Sequence, residues 1–216
     1  MKITQVELFI ANFEETISFY KDQLHWDLLN TKDGKATFRV GESLLVLHQD
    51  EESKHYYHFA FNIPPNLFHS AKHWIQQRMT LLTEDGDDEA DFTESKAKAL
   101  YFEDPAGNII EYIARSTTPT ALTDEFSPTQ LVGISEIGVS TIDVKTVVEE
   151  LMGMGIFPRN NENIYESQFL NFMGEAEEGN YIIVGPVGRR WIFSEKPGKE
   201  TPTIIHTDRG IFRYSI

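Results

Sequence analysis

The sequence contains no cysteine, which excludes disulfides, thiolate nucleophiles and cysteine-based zinc sites. Basic residues are scarce: 19 Lys and Arg stand against 34 Asp and Glu, a formal net charge of -15. So acidic a chain repels nucleic acid and anionic membrane, and neither is expected as a partner. No apolar run approaches the length needed to span a bilayer. Met1-Lys2-Ile3 leads directly into a strand-like segment with no signal-peptide pattern, so a cytoplasmic protein is expected. What is plentiful is apolar bulk. Hydrophobic residues make up 40% of the 216, with 15 Phe and 8 Tyr, enough for one large packed domain or one domain plus a smaller one.

One plan repeats along the chain. Ile3 to Ile10 alternates as a strand, with Val6, Leu8 and Ile10 on one face and Gln5, Glu7 and Phe9 on the other. A helix follows Asn12, with Glu14 and Glu15 in its first turn and Ile17, Tyr20 and Leu24 at helical spacing. Strands at 26–29, 36–40 and 43–48, turned by Asp33-Gly34 and Gly41-Glu42, complete a β-α-β-β-β order. A second copy opens at Tyr57-His58-Phe59-Ala60-Phe61-Asn62-Ile63 and carries Leu67, Ala71, Trp74 and Ile75 on its helix. A polar linker over 116–129 precedes a third, degenerate copy over 130–216. That copy reads as a strand at 132–140, a helix at 144–152, hairpins near 175–179 and 185–188, and a tail with a further strand at 211–214.

Glu111 is the most informative single residue. Asp104-Pro105-Ala106-Gly107 turns a hairpin whose second strand places Ile109, Glu111 and Ile113 on one face. A carboxylate among apolar neighbours needs a cation or strong donor to be buried, so Glu111 is either an edge or arginine-paired residue or a metal ligand. The six carboxylates between Glu84 and Asp91 lack the ligand spacing of a calcium loop and read as a solvated loop. His55 and His58 form a His-x-x-His pair that a strand does not aim at one ion.

The paired modules, Phe19-Tyr20 in the first helix, His58-Phe59-Ala60-Phe61 opening the second module and Asp104-Pro105-Ala106-Gly107-Asn108-Ile109-Ile110-Glu111 closing it resemble the vicinal oxygen chelate superfamily. This is the family of glyoxalase I, extradiol dioxygenases, fosfomycin-resistance enzymes and bleomycin-binding proteins. The resemblance covers residues 1–115 well and the third module weakly. It implies an α+β fold in which βαβββ modules pair into an open half-barrel around a divalent metal: zinc, nickel, iron or manganese. Carried over by position, it puts metal ligands at Gln5, His58 and Glu111. The remaining ligand position falls at or near Val46, which cannot bind a metal. Glu111 is also the expected catalytic carboxylate, and His48 and Glu7 are candidates for a displaced ligand or a base.

Three functions follow from the resemblance. A glyoxalase-like lyase or isomerase needs a metal to polarise a carbonyl and a carboxylate to move the adjacent proton. A ring-cleaving dioxygenase needs three protein ligands and open positions on the metal. A non-catalytic binder of the bleomycin-resistance type needs only a pocket, for which Phe9, Phe38, Tyr56, Tyr57 and Tyr101 are candidate walls. In the third module, Glu136 matches His58 in position, but Ile192 stands where Glu111 would fall, so no metal site is expected there. A single module exposes a sheet face that wants a partner, from the first domain or a second chain, so a homodimer is expected.

Overall fold

The computed structural model describes residues 1–52 and 54–215. Its strands are β1 (Ile3–Ile10), β2 (Asp27–Lys32), β3 (Lys35–Val40), β4 (Ser43–Gln49), β5 (His58–Ile63), β6 (Ala90–Phe92), β7 (Ala97–Glu103), β8 (Ile109–Arg115), β9 (Gly133–Thr141), β10 (Asn171–Met173), β11 (Tyr181–Pro186), β12 (Thr203–Thr207) and β13 (Gly210–Tyr214). The α-helices are α1 (Phe13–Ser18), α2 (Phe68–Gln76) and α3 (Val144–Gly153). The class is α+β, built on the β-α-β-β-β plan.

The strands form a six-stranded sheet, ordered β13-β12-β1-β4-β3-β2, and a seven-stranded half-barrel, ordered β10-β11-β9-β5-β8-β7-β6. The modules do pair, but not in chain order. β5 runs antiparallel to β9, so the second module shares its sheet with the third. The first module closes its own sheet with the C-terminal hairpin, β1 lying antiparallel to β12. The tail beyond Lys196 therefore holds two strands where the sequence suggested one. Thr203-Ile204-Ile205-His206-Thr207 is a short β-branched run whose partner lies some two hundred residues upstream, and no local pattern announces such a pairing.

Alternation sorts the side chains as expected. Val6, Leu8 and Ile10 from β1 and Phe59, Phe61 and Ile63 from β5 enter one core with Phe13, Ile17, Phe68, Ile75, Val148 and Leu151 from the helices. Each such side chain, fully buried, contributes about 1.5–3 kcal/mol. Gln5, Glu7 and Phe9 on one sheet, and His58 and Ala60 on the other, are thus turned to the opposite faces. The sheets abut at Gly41, where a Cβ would lie 2.1 Å from the Val132 carbonyl oxygen and φ is +57°. Nearby, Ser43 Oγ donates to the Ile3 carbonyl and accepts from the Ile134 amide, at 2.7 and 3.0 Å. No helix among the described residues is long and apolar enough to cross a membrane.

Candidate metal centre

The motif that carries the family resemblance builds the floor on which the site stands. The buried Asp104 carboxylate accepts from the Tyr20 hydroxyl, from the Asn108 amide at 2.8 Å and from Asn108 Nδ2 at 2.7 Å. Asn108 Oδ1 in turn accepts from the Tyr57 amide at 2.9 Å, which locks the start of β5 beside the start of β8. His58 is the next residue. Its Nδ1 lies 3.2 Å from the Ile109 carbonyl oxygen, which can only accept, so Nδ1 carries the proton and Nε2 turns its lone pair toward the cavity.

Across the sheet, Ala60 pairs with Glu111 on β8 and with Glu136 on β9. Two carboxylates thus flank one methyl group, and His58 stands two residues along on the same face. His58, Glu111 and Glu136 are 4%, 2% and 5% exposed, and each offers a ligand atom within 4.8 Å of the others. His58 Nε2 lies 3.5 Å from Glu111 Oε2.

Glu136 reaches this face through a β-bulge. The register between β5 and β9 shifts between Ala60 and Phe61, so that Phe61 faces Ile134, Ala60 faces Glu136, and Ser135 is the extra residue. In a regular strand Ile134 and Glu136 would share a face; the bulge sends Ile134 into the core and Glu136 into the cavity. The third module, for which no metal site of its own is expected, supplies the third member of this candidate group. That module does lack its own closing carboxylate, but its opening one meets the second module's His58 and Glu111.

Gln5 does not belong to this group. It lies on β1 in the other sheet, where Nε2 donates to Glu7 Oε1 at 3.0 Å and approaches His206 Nε2 at 3.3 Å. Glu7 is gripped from both sides, with His48 Nε2 2.6 Å from Oε2 and His206 Nε2 2.8 Å from Oε1. These contacts hold the Glu7 carboxyl below its usual range against the opposing effect of burial. His48 and Glu7 therefore lie in the other sheet, outside the triad. Val46 pairs with Glu7, matching in the first module the place that Glu111 holds opposite Ala60. Of the expected aromatic walls, Tyr101 lines the cavity. Phe9 stacks on His48, Phe38 lies in the core, and the Tyr56 and Tyr57 hydroxyls donate to the Pro197 and Pro202 carbonyls.

The cavity over the triad has a volume of about 440 Å³ and is walled by Tyr101, Phe172, Ile183 and Trp191. Trp191 lies 4.8 Å from the His58 ring, centroid to centroid, and crosses β9 at Gly138, where a Cβ would sit 2.6 Å from the indole. Burial in this setting holds His58 at about 4, aided by the Arg189 charge and opposed by the Ile109 bond, so the imidazole is neutral at physiological pH. Burial pushes Glu111 well up, and the Glu136 charge adds to it against the counter-effect of Arg115. Arg115 forms an ion pair with Glu136 through its Oε1.

A divalent cation fits these residues. Glu111 Oε1 is buried with no hydrogen-bond partner among the described residues, two buried carboxylates crowd each other, and a neutral imidazole presents a free lone pair. His58, Glu111 and Glu136 would hold it. Arg115, Trp191 and Arg189 were not singled out from the sequence, because their place in the cavity depends on the pairing of modules two and three.

The chain is similar in part to several known proteins. The family model of the toxoflavin-degrading enzyme matches residues 134–189. The metallothiol transferase FosB of Staphylococcus epidermidis is 31% identical over 121 residues, covering 51% of this chain and 82% of the relative. FosB of Staphylococcus haemolyticus is 28% identical over 115 residues, covering 50% and 80%. Among solved structures, lactoylglutathione lyase from Agrobacterium tumefaciens aligns with a TM-score of 0.45 at 17% identity, covering 52% of this chain and 92% of that one. A glyoxalase/bleomycin resistance protein/dioxygenase from Nocardioides aligns at 0.44 and 20%, covering 57% and 90%. The model of the glyoxalase/bleomycin resistance protein/dioxygenase superfamily matches residues 2–112, half of the chain, from β1 into β8, and the chain belongs to that superfamily.

Proposed function

We propose that this protein is a metal-dependent enzyme of the glyoxalase/dioxygenase type, acting on a small molecule held in the cavity above β5, β8 and β9. The observation that carries the reading is the buried convergence of His58, Glu111 and Glu136, with one Glu111 oxygen left without a donor. A divalent ion bound there supplies Lewis acidity toward a carbonyl or a pair of vicinal oxygens.

The chain's own residues do the rest. The Ile109 carbonyl fixes the His58 tautomer, and Arg115 holds Glu136 by one oxygen so that the other faces the cavity. Glu111, whose Oε2 lies 3.5 Å from His58 Nε2, is the carboxylate that would move a proton of the ligand once its own has been displaced by a bound metal. Trp191 and Tyr101 line the cavity and exclude water, with Phe193 stacked on Tyr101 at 4.8 Å. His48 and Glu7, which grip each other in the other sheet, have a structural role in this proposal. The match of residues 134–189 to a toxoflavin-degrading enzyme covers the segment that supplies Glu136, and favours a degradative reaction, lyase or ring-cleaving, over thiol transfer. A cytoplasmic setting and a homodimer remain part of the proposal. β9 finds its partner strand inside the chain, so the dimer no longer follows from an unpaired module, and sedimentation giving only 24.8 kDa species removes it.

A second reading, a metal-free binding protein, is favoured by the Arg115–Glu136 ion pair, which already compensates one carboxylate. Protein purified without chelator, loaded in turn with Mn²⁺, Fe²⁺, Ni²⁺ and Zn²⁺ and incubated with planar diols and α-oxo compounds, separates the two by mass spectrometry. Consumption of a compound by the loaded wild type, and none by Glu136→Ala, is expected. A wild type that retains no metal, or turnover that persists in the variant, overturns the proposal.

A further inference from the structure

The arginines around the cavity are unequally partnered. Arg115 is paired with Glu136, Arg159 with Glu162 at 2.8 Å and Arg190 with Glu84 at 2.9 Å. Arg189 has no carboxylate partner among the described residues. Its Nε donates to the Gln168 carbonyl at 3.2 Å and its Nη1 to the Arg190 carbonyl at 3.0 Å, while Nη2 makes no hydrogen bond among the described residues. Yet it lines the cavity, half-buried, and its charge bears on His58. The segment that presents it is a tight turn: the Arg189 amide donates to the Pro186 carbonyl at 3.4 Å, and Gly188 at φ +85° supplies the left-handed position. A guanidinium at a cavity wall without a counter-charge is available to an anionic ligand.

Charge balance says what. The cavity's three carboxylates, Glu111, Glu136 and Glu162, are matched by its three guanidinium groups, Arg115, Arg159 and Arg189. Adding a divalent cation leaves the loaded cavity with a surplus of two positive charges. Among the apolar walls are flat rings, the Trp191 indole beside His58 with Tyr101 and Phe172, next to the aliphatic Ile113 and Ile183.

The geometry points to Arg189 as the residue that selects an anionic ligand, anchoring an oxyanion substituent of a planar molecule whose other end lies at His58, Glu111 and Glu136. The charge surplus in this inference rests on the metal reading above; the unpaired guanidinium does not. In the competing account, Arg189 only staples the segment at Gln168 to the hairpin.

The test uses 3,4-dihydroxybenzoate and its neutral isostere 3,4-dihydroxybenzamide, titrated calorimetrically into the full chain with and without Mn²⁺. Wild type is expected to bind the acid about tenfold or more tightly than the amide, the margin of one charge-assisted hydrogen bond. Arg189→Gln erases that preference without weakening Mn²⁺ binding, since it removes a positive charge near the site, and Arg189→Lys keeps part of it. A wild type that binds both probes equally or not at all, or an Arg189→Gln variant that retains the preference, overturns the inference. If Mn²⁺ does not bind but the Arg189-dependent preference persists, the anchoring role stands and the metal reading alone falls.

Discussion

In the seven-stranded sheet, the row Glu136–Ala60–Glu111 sets two carboxylates on either side of a methyl group; in the six-stranded sheet, the equivalent row Ile204–Glu7–Val46 sets one carboxylate between two aliphatic chains. The strand relations are the same in both, a central strand with a parallel neighbour on one side and an antiparallel neighbour on the other. Gln5 even occupies the place of His58. The chemistry is nonetheless opposite. Side chains from outer strands converge over a small central residue and leave room for an ion, whereas a carboxylate at the centre reaches out and is satisfied by His48 and His206. The proposed metal cup thus has its acids on the flanks and a small residue in the middle.

The largest effect that breaks the comparison is removal of a flank. His58→Ala, Glu111→Ala or Glu136→Ala should each weaken Mn²⁺ or Zn²⁺ binding by at least about a hundredfold, as one of three ligands is lost, read by calorimetry or metal content. Gln5→Ala should leave binding unchanged. Filling the centre is next. Ala60→Leu should abolish metal retention without touching a ligand and, as an overpacked substitution, lower stability by about 1–3 kcal/mol in denaturant titration.

A pH series sharpens the contrast further. Glu111 has a raised carboxyl, so its contribution to stability is complete below the unfolded value of 4.5 and is lost as pH rises through the folded value. In metal-free protein, Glu111→Gln is accordingly expected to raise the unfolding temperature once the pH exceeds that folded value, and the same variant is expected to lose metal affinity. Metal has to displace the Glu111 proton, so affinity should fall by up to about tenfold per pH unit as pH drops through that range. His58, held at about 4, adds no slope across roughly pH 5–8. The smallest effect lies in the other sheet. His206→Ala removes one partner of Glu7 and should cost about 1–2 kcal/mol of stability with metal affinity intact.

Much of this was legible before any coordinates. The βαβββ plan, the hairpin at Asp104 to Asn108 and the inward facing of His58 and Glu111 all follow from alternation and turn chemistry, which are local. What was not legible is non-local. Nothing in residues 3–10 says whether that strand pairs with β5 or with a hairpin two hundred residues away, and that choice alone moves Gln5 out of the site. Glu136 matches His58 in position, but Ile192 stands where its own module's closing carboxylate would fall, which argues against a site there. That it meets the second module's Glu111 across Ala60 depends on the pairing of β9 with β5, which no local pattern announces.

Crystals grown with Mn²⁺ and measured at an energy where manganese scatters anomalously test the central claim most directly. The account predicts one strong peak per chain, in bonding contact with His58 Nε2 and with a carboxylate oxygen of both Glu111 and Glu136. A peak beside Gln5 and Glu7, or fully loaded crystals with no peak between β5, β8 and β9, would contradict it.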